Sequence, residues 1–233
     1  NNQLMIRPGL RLGPGQSVGA PSFKLDDVEA IESQIAGVTA VAPQAAKTLT
    51  VVANGRNWQT SIVGTNNDYF TIDNREVEEG RVFEKGELMS GASVCVIGGT
   101  IRTELFGETE SVVGKTIRTG AFSCRVIGIL KTKGTAAMGG DQDDLMVMPL
   151  KTVQRRLLGS NRVSGLLIAL NPLSDRESVK AAVTELLRER RKLSKGDDDN
   201  FQIMDTAEIA EKVASTTQIM TSLLAAVAGV SLL

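Results

Sequence analysis

The sequence predicts an α+β fold, and three observations support this prediction. The beginning of the chain reads as strand, helix, strand, strand, and the part before the last helix reads as strand, helix, strand. Between them lie short apolar runs separated by glycines, a pattern typical of a mostly β insertion. Residues 213–233 carry no charge, which predicts a long apolar helix at the end of the chain.

Residues 1–64 supply the first pattern. Residues 4–12 form a predicted strand that Pro8-Gly9 interrupts, and a loop rich in glycine, proline and serine follows. Residues 24–36 place apolar side chains at helical spacing, with acidic residues in the first turn and Gly37 behind the last. The remaining elements are predicted strands at residues 38–43, 48–53 and 58–64, with the turn-forming pair Asn54-Gly55 between the last two.

Residues 65–160 form the predicted insertion. It opens with a turn-rich loop at residues 65–70 and a charged, irregular stretch at residues 74–86. A glycine-rich loop at residues 134–140 leads into an acidic cluster. The apolar runs predict strands at residues 92–98, 115–118, 124–130 and 145–148, and short helices at residues 100–106 and 151–158.

Residues 161–205 return to the pattern of strand, helix and strand. The helix has its apolar residues on one face, and capping residues stand at its start. The predicted elements are a strand at residues 165–170, a helix from Ser174 or Asp175 to about Lys192, and a strand at residues 201–205.

The two outer parts, residues 1–64 and 161–205, together predict a ferredoxin-like split βαβ lobe into which residues 65–160 are inserted. Thr206 caps the terminal helix, which occupies residues 206–233. Its uncharged part would span about 30 Å, close to the thickness of the hydrocarbon layer of a bilayer. We therefore expect residues 206–233 to form a stalk and the beginning of a transmembrane segment that continues beyond this sequence. A helix buried in a soluble core is the alternative.

Composition argues against several classes of function. A net charge of −1 and few aromatic residues, with one Trp, one Tyr and six Phe, argue against a nucleic-acid partner. Histidine is absent, which removes the commonest general base, the Ser-His-Asp triad and mixed Cys/His zinc sites. Since no residues combine into a nucleophile, a base and an oxyanion site, the sequence predicts no catalytic, cofactor-binding or metal-binding residue.

Gly114-Lys115-Thr116 resembles the end of a phosphate-binding loop. The full motif requires a glycine where this chain has Thr109, and it requires a helix afterwards. Residues 117–120 instead read as strand and turn. Nucleotide binding is therefore not expected at this motif.

Three charged clusters could be binding sites, but each is better explained as part of the solvated surface. Asp141, Asp143 and Asp144 lack the ligand spacing of a calcium-binding loop, so we interpret them as a solvated acidic loop. The same interpretation holds for residues 197–199, where lysines lie close to the aspartates. The basic run at residues 188–192 is short and contains a glutamate, which favours a solvated helix end over nucleic-acid contact.

The two cysteines are the remaining candidates for covalent chemistry. Cys95 and Cys124 lie within apolar runs, which favours two buried side chains on strands. A disulfide between them stays open, because it requires an oxidising compartment and because sequence spacing cannot decide it.

Several motifs follow one another along the chain: GTNNDYF (residues 64–70), GRVF (80–83), VCVIGGTIRTELFG (94–107), VGKTIR (113–118), RVIGILKTKG (125–134) and DQDDLMVMPLKTVQRRLLG (141–159). This ordered series resembles the periplasmic core domain of MacB-type ABC transporters, a group related to FtsX. The opening LMIRPG and the closing MTSLLAAVAGVSLL resemble the segments next to the first and second transmembrane helices of that family. The resemblance covers essentially the whole chain, and the ordered series is far more specific than any single motif.

The resemblance implies a porter-type lobe made of both chain ends and an inserted sabre-type lobe. It implies a position on the periplasmic or extracellular side of the inner membrane, in a permease that works as a dimer. ATP and magnesium would bind an ABC ATPase domain or subunit, so no cofactor is expected here. Gram-negative members engage a periplasmic adaptor protein and an outer-membrane duct. The implied function is ATP-driven export by mechanical transmission, and the alternative is an FtsX-like domain that regulates a cell-wall hydrolase.

Overall fold

The computed structural model describes residues 2–9, 19–107, 111–136 and 139–230 and has the predicted α+β architecture. Its strands are β1 (Gln3–Pro8), β2 (Val38–Ala53), β3 (Arg56–Thr65), β4 (Val77–Gly80), β5 (Val94–Ile97), β6 (Thr116–Thr119), β7 (Phe122–Leu130), β8 (Leu145–Pro149), β9 (Gly165–Leu170) and β10 (Phe201–Asp205). Its helices are α1 (Leu25–Gln34), α2 (Asp68–Ile72), α3 (Lys85–Ser90), α4 (Gly99–Phe106), α5 (Leu150–Val153), α6 (Arg176–Arg190) and α7 (Thr206–Val230), and a π-helical turn (Gln154–Leu158) extends α5.

Four strands form a first sheet in the order β10-β1-β9-β2, with every neighbouring pair antiparallel. This order arises because the units β1-α1-β2 and β9-α6-β10 interleave their strands. Asp175 caps α6 by accepting a hydrogen bond from the Ser178 backbone N–H at 3.0 Å. The helices α1 and α6 pack on one face of the sheet over a core that includes Leu4, Ile6, Phe23, Ile31, Ile168, Val183 and Leu187.

The strand β2 is longer than predicted and belongs to both halves of the fold. The sequence predicted two strands, at residues 38–43 and 48–53, whereas the structure has one strand of 16 residues. The prediction was wrong in ending the first of these strands at Pro43. Pro43 pairs with Leu166 in β9, and β3 begins to pair with β2 only at Ala45, so Pro43 lies where β2 is an edge strand.

The second half of β2 joins a closed ring of six strands. Its pairings run β2-β3-β8-β5-β7-β6 and return from β6 to β2, where Val51 lies opposite Thr119. One apolar core draws side chains from all six strands, including Val51, Ile62, Cys95, Ile117, Cys124 and Met146, and closes against α4 and α5. The ring closes through a short contact, because β2 pairs with β6 only at Val51 and Val52. The change of pairing partner therefore falls within β2, whereas the sequence places the insertion at residue 65.

Asn54 and Gly55 make the tight turn that the sequence indicates. Both have positive φ values, 52° and 70°, and Ala53 pairs directly with Arg56 across them. Two residues with positive φ form the turn that matches the twist of a hairpin. The link is thus two residues long, shorter than the gap between the predicted strands at residues 48–53 and 58–64.

Several local predictions need correction. Residues 65–70 are not a loop throughout, since α2 begins at Asp68 and buries Tyr69, Phe70 and Ile72 between the two sheets. That burial outweighs the turn-forming residues around it. The stretch at residues 74–86 contains β4, which pairs with β7. Parts of the predicted strand at residues 4–12 and of the loop at residues 134–140 lie outside the described residues.

Candidate functional site

The first strand and the last helix meet at one corner of the first sheet. The strands β1 and β10 are neighbours, and Leu4 lies opposite Asp205 in their register. The helix α7 begins at Thr206, directly after β10, and the Thr206 hydroxyl donates to the carbonyl oxygen of Gln3 at 3.4 Å. The base of α7 is therefore attached directly to these two adjacent strands.

An arginine on α6 holds this corner together. Arg176 Nη1 donates to both carboxylate oxygens of Asp205, at 2.8 and 2.7 Å, and Nη2 donates to Asn2 Oδ1 at 2.6 Å. The Asp205 side chain is fully buried, and 27% of the Arg176 side chain is exposed. A buried carboxylate is stable only when it is paired, because an uncompensated charge in the interior is costly. Arg176 thus connects the start of β1 to the end of β10.

A second ion pair extends this contact one turn along both helices. Lys180 Nζ lies 2.8 Å from Glu208 Oε1 and 3.0 Å from Glu177 Oε1. The hydrogen bond with Glu208 is the main cause that raises the pKa of Lys180 above its ordinary value. Arg176 and Lys180 are four residues apart on α6 and share one face of it. We name the group the junction clamp; its members are Asn2, Arg176, Lys180, Asp205 and Glu208.

The junction clamp was not predicted from the sequence, although the position of Arg176 could have indicated it. Arg176 stands in the first turn of α6, where the positive end of the helix dipole disfavours a cation. A cation at that position indicates a specific acidic partner. The partner, Asp205, is 29 residues away, and neither its burial nor its distance from Arg176 can be read from the sequence.

The helix α7 continues from the clamp as one segment of 25 residues. Five of its hydroxyl groups donate to the carbonyl four residues earlier; they belong to Ser215, Thr216, Thr217, Thr221 and Ser222. Its last turns expose the large apolar side chains of Ile219, Met220, Leu223, Leu224 and Val227. Among the helices described, α7 included, none combines the length and the hydropathy needed to cross a membrane.

Gly114-Lys115-Thr116 does not have the geometry of a phosphate-binding loop. Gly114 has a φ of 93° and its N–H donates to the Val126 carbonyl, which places it in a turn. The strand β6 follows it where the phosphate loop requires a helix N-terminus. This confirms the strand and turn predicted after the motif, whereas Thr109 lies outside the described residues.

The acidic cluster is bonded within the fold rather than solvated as a whole. Asp143 is 4% exposed, and its carboxylate accepts hydrogen bonds from the backbone N–H groups of Lys133 and Gly134, at 2.8 and 2.9 Å. Asp144 accepts from Trp58 Nε1 at 3.0 Å and from the Thr60 hydroxyl at 2.7 Å. The interpretation as a solvated loop was therefore wrong for these two residues, because each aspartate fixes a separate segment. Only Asp141 of the three is exposed.

The basic run at the end of α6 also has partners within the fold. Arg190 Nε donates to Asp27 Oδ1 at 2.6 Å, and Arg188 forms an ion pair with Asp199. The Arg191 guanidinium lies 4.9 Å from the ring centre of Phe23, and burial lowers its pKa. The run thus fastens α6 to its neighbours, which a solvated helix end would not do.

A cleft of about 460 Å³ opens beside the start of α4. Its lining includes Glu78, Arg102, Glu104 and Asp143, and Arg102 Nη1 lies 3.0 Å from Glu79 Oε1. Within residues 2–9, 19–107, 111–136 and 139–230, no three His, Cys, Asp or Glu side chains are grouped so that they could hold a metal ion. The lining combines carboxylates with a guanidinium, and the Thr100 hydroxyl in it donates to the Asp141 carboxylate.

The two cysteines lie on neighbouring strands, as buried side chains. Cys95 is on β5 and Cys124 on β7, and the two sulfur atoms are 2.8 Å apart. This confirms the prediction of two buried residues on strands, and both occur as free thiols in the structure.

Comparison with known proteins gives the family. The sequence model for MacB-like periplasmic core domains matches residues 1–186. The macrolide export ATP-binding/permease protein MacB of Bdellovibrio bacteriovorus is 33% identical over 238 residues, which cover 100% of this chain and 36% of that protein. The chain therefore spans about a third of the length of the curated relatives it matches.

Solved structures share the fold. The periplasmic region of MacB from Actinobacillus actinomycetemcomitans superposes with a TM-score of 0.77 at 20% identity, covering 91% of this chain and 92% of that one. The extracellular domain of the noncanonic ABC-type transporter YknZ from Gram-positive bacteria gives 0.69 at 22% identity, covering 88% and 100%. With the sequence match over residues 1–186, these findings lead to one conclusion: the chain belongs to the MacB-like periplasmic core domain family.

Proposed function

We propose that the chain is the extracytoplasmic domain of an ABC-type efflux or export permease. In this role it couples ATP hydrolysis in the cytoplasm to substrate export through a conformational change. The observation that carries the proposal is the junction clamp, which fixes the base of α7 to both β1 and α6 through charged hydrogen bonds. A helix fixed in this way displaces the domain when it moves and does not swivel at its base.

In the proposed permease domain, residues 1–64 and 161–205 form the porter-type lobe, and residues 65–160 form the sabre-type lobe. The ring of six strands supports a second lobe, although β2 and β3 contribute to it from the first part of the chain. Residues 206–233 form a stalk and the beginning of a transmembrane segment. The uncharged sequence from residue 213 and the exposed apolar side chains at the end of α7 support this assignment.

The partners in the proposal supply the ATP-driven step and the rest of the export path. ATP and magnesium bind an ABC ATPase domain or subunit, and no catalytic, cofactor-binding or metal-binding role is assigned to this domain. A second permease subunit completes a homodimer in the inner membrane, and this domain lies on its periplasmic or extracellular side. In a Gram-negative cell, a periplasmic adaptor protein and an outer-membrane duct complete the path. The name of the Bdellovibrio relative combines ATP-binding with permease, which supports the assignment of ATP binding to another domain or subunit.

The test of the proposal is a proline in the stalk of a full-length transporter that contains this domain. Ala214 is exposed on α7, eight residues after the helix begins. Ala214→Pro removes a backbone donor and clashes with the preceding turn, at a cost of about 3 kcal/mol in a helix interior. We expect the variant to hydrolyse ATP at the normal rate and to export substrate poorly, because a kinked helix no longer transmits displacement.

The matched control is Ala214→Gly, which costs only about 1 kcal/mol in a helix. It should export nearly as well as the wild-type transporter. Export and ATP hydrolysis are measured on the same preparation, after membrane insertion has been verified for each variant. Wild-type export by the proline variant would show that α7 is a tether and not a lever, and would refute the proposed mechanism.

A further inference from the structure

The two cysteines of the chain face each other inside the ring of six strands. Cys95 on β5 lies opposite Val126 on β7, in a parallel pair. Side chains alternate along a strand, so Cys124 and Val126 share one face and both thiols are on the inner side of the ring. Both cysteine side chains are fully buried in the same apolar core.

The contact between the two sulfur atoms is close. They lie 2.8 Å apart, and a disulfide bond of ~2.05 Å requires a further approach of about 0.8 Å. The neighbouring polar groups are the Thr119 hydroxyl, 3.5 Å from Cys124 Sγ, and the Met146 sulfur, 3.9 Å from it. Neither neighbour is charged. No buried ion pair is therefore broken when the two thiols are oxidised.

We infer that Cys95 and Cys124 are oxidised to a disulfide that ties β5 to β7. The inference depends on the proposed function in one respect, because the extracytoplasmic location supplies the oxidising compartment. In a reducing compartment the same two thiols stay free despite their contact. The pairing itself depends only on the geometry of the ring.

The oxidant is another disulfide, either oxidised glutathione or a protein disulfide oxidase of that compartment. The thiolate of one cysteine attacks one sulfur of the oxidant, which forms a mixed disulfide and releases the first oxidant thiol. The thiolate of the other cysteine then displaces the second oxidant thiol. Two protons leave the cysteines, two electrons pass to the oxidant, and one S–S bond replaces another.

The two thiols differ in pKa once the ring is closed. Burial raises the pKa of the Cys95 thiol, whereas the hydrogen bond from Cys95 lowers the pKa of Cys124. Because these shifts arise only when both sulfur atoms are enclosed, either thiolate can attack first. Neither sulfur is accessible in the folded chain, so the exchange takes place while the ring is still closing around β5 and β7.

The disulfide stabilises the domain mainly through the unfolded state. It closes a loop between residues separated by 29 positions, which restricts the unfolded chain. For a chain of this size the melting temperature of the oxidised form should exceed that of the reduced form by about 10 °C. Dithiothreitol added to the unfolded chain before refolding should remove this difference.

The direct test folds the chain in a buffer of reduced and oxidised glutathione. Acid then quenches thiol exchange, a maleimide blocks free thiols in denaturant, and trypsin digests the chain without reductant. Cys95 falls in the tryptic peptide of residues 86–102 and Cys124 in that of residues 119–125. We expect the two peptides to be joined and no thiol to be labelled, whereas two labelled thiols per chain would overturn the inference. The Cys95→Ala/Cys124→Ala variant is the control, and its melting temperature should not respond to dithiothreitol.

A second arm separates this inference from the proposed location. Leu173 is 94% exposed, so Leu173→Cys in the double-alanine background presents a free thiol on the domain surface. A membrane-impermeant maleimide should label it on intact spheroplasts, while the native pair in matched cells should resist labelling after acid quenching and denaturation. If Leu173→Cys is labelled while the native cysteines are found as free thiols, the disulfide is overturned and the proposed function stands. A Leu173→Cys thiol that reacts only after lysis would instead refute the proposed location.

Discussion

Replacing Arg176 by methionine tests whether the junction clamp is a strong contact. Methionine keeps much of the length of the side chain and removes its donors. The fully buried carboxylate of Asp205 then loses the guanidinium that bonds both of its oxygens. Removing one partner of a buried pair costs about 3–5 kcal/mol.

The expected loss lies at the lower end of that range. Water reaches part of the pair, since 27% of the Arg176 side chain is exposed. We therefore expect Arg176→Met to lower the free energy of unfolding by about 3 kcal/mol. With a urea slope of about 3 kcal/mol per molar for a large single chain, the denaturation midpoint should fall by about 1 M.

Lys180→Met is the matched control on the same face of α6. Its ion pair with Glu208 is more exposed, at 20% and 47% for the two side chains, so its removal should cost about 0.2–1 kcal/mol. Asp205→Asn combined with Arg176→Met should cost less than the sum of the single variants, by roughly 2 kcal/mol, because it also removes the buried charge. Equal midpoints for Arg176→Met and Lys180→Met would refute the view that the clamp is a buried, strong contact.

Two further predictions concern α2 and the acidic loop. Burial raises the pKa of Tyr69 to about 12, so the native chain holds a proton that the unfolded chain releases above pH 10. The contribution of Tyr69 to the free energy of unfolding is fully present below pH 10 and falls as pH rises towards 12. Tyr69→Phe should remove up to about 1.4 kcal/mol per pH unit of this fall. The measurement is a urea titration at pH 9 and at pH 11. Asp143→Ala leaves the N–H groups of Lys133 and Gly134 without their acceptor and should cost about 2 kcal/mol in the same titration. A loss no greater than that caused by Asp198→Ala, at an exposed position, would contradict the bonding.

The sequence is informative where local signals and burial agree. The strand β10 has the bounds that were predicted, residues 201–205, and the hairpin turn lies at Asn54-Gly55. Pro43 shows the opposite case. A proline ends a central strand, but it is tolerated at an edge, and only the register of β2 with β9 and β3 reveals that Pro43 is at an edge. Edge positions follow from tertiary pairing and are not encoded in a local window.

The candidate site was less predictable than the fold. Acidic residues in a glycine-rich loop have the composition of a surface turn, yet Asp143 is buried because it accepts from two backbone amides of a neighbouring segment. The junction clamp joins residues from opposite ends of the chain, with Asn2 and Arg176 174 positions apart. Separations of this size carry no periodic signal. Such contacts can be recognised only after β1, α6 and β10 have been brought together by the sheet.

The placement of the junction clamp also explains how one helix can act on the whole domain. The clamp fixes α7 to β10 and β1, and β1 pairs with β9. The strand β9 pairs in turn with β2, whose second half is part of the six-stranded ring. A movement of α7 would therefore pass through three consecutive strand pairings, β10–β1, β1–β9 and β9–β2, into the six-stranded ring. Because one continuous strand, β2, belongs to both sheets, the two parts are expected to move together when α7 is displaced.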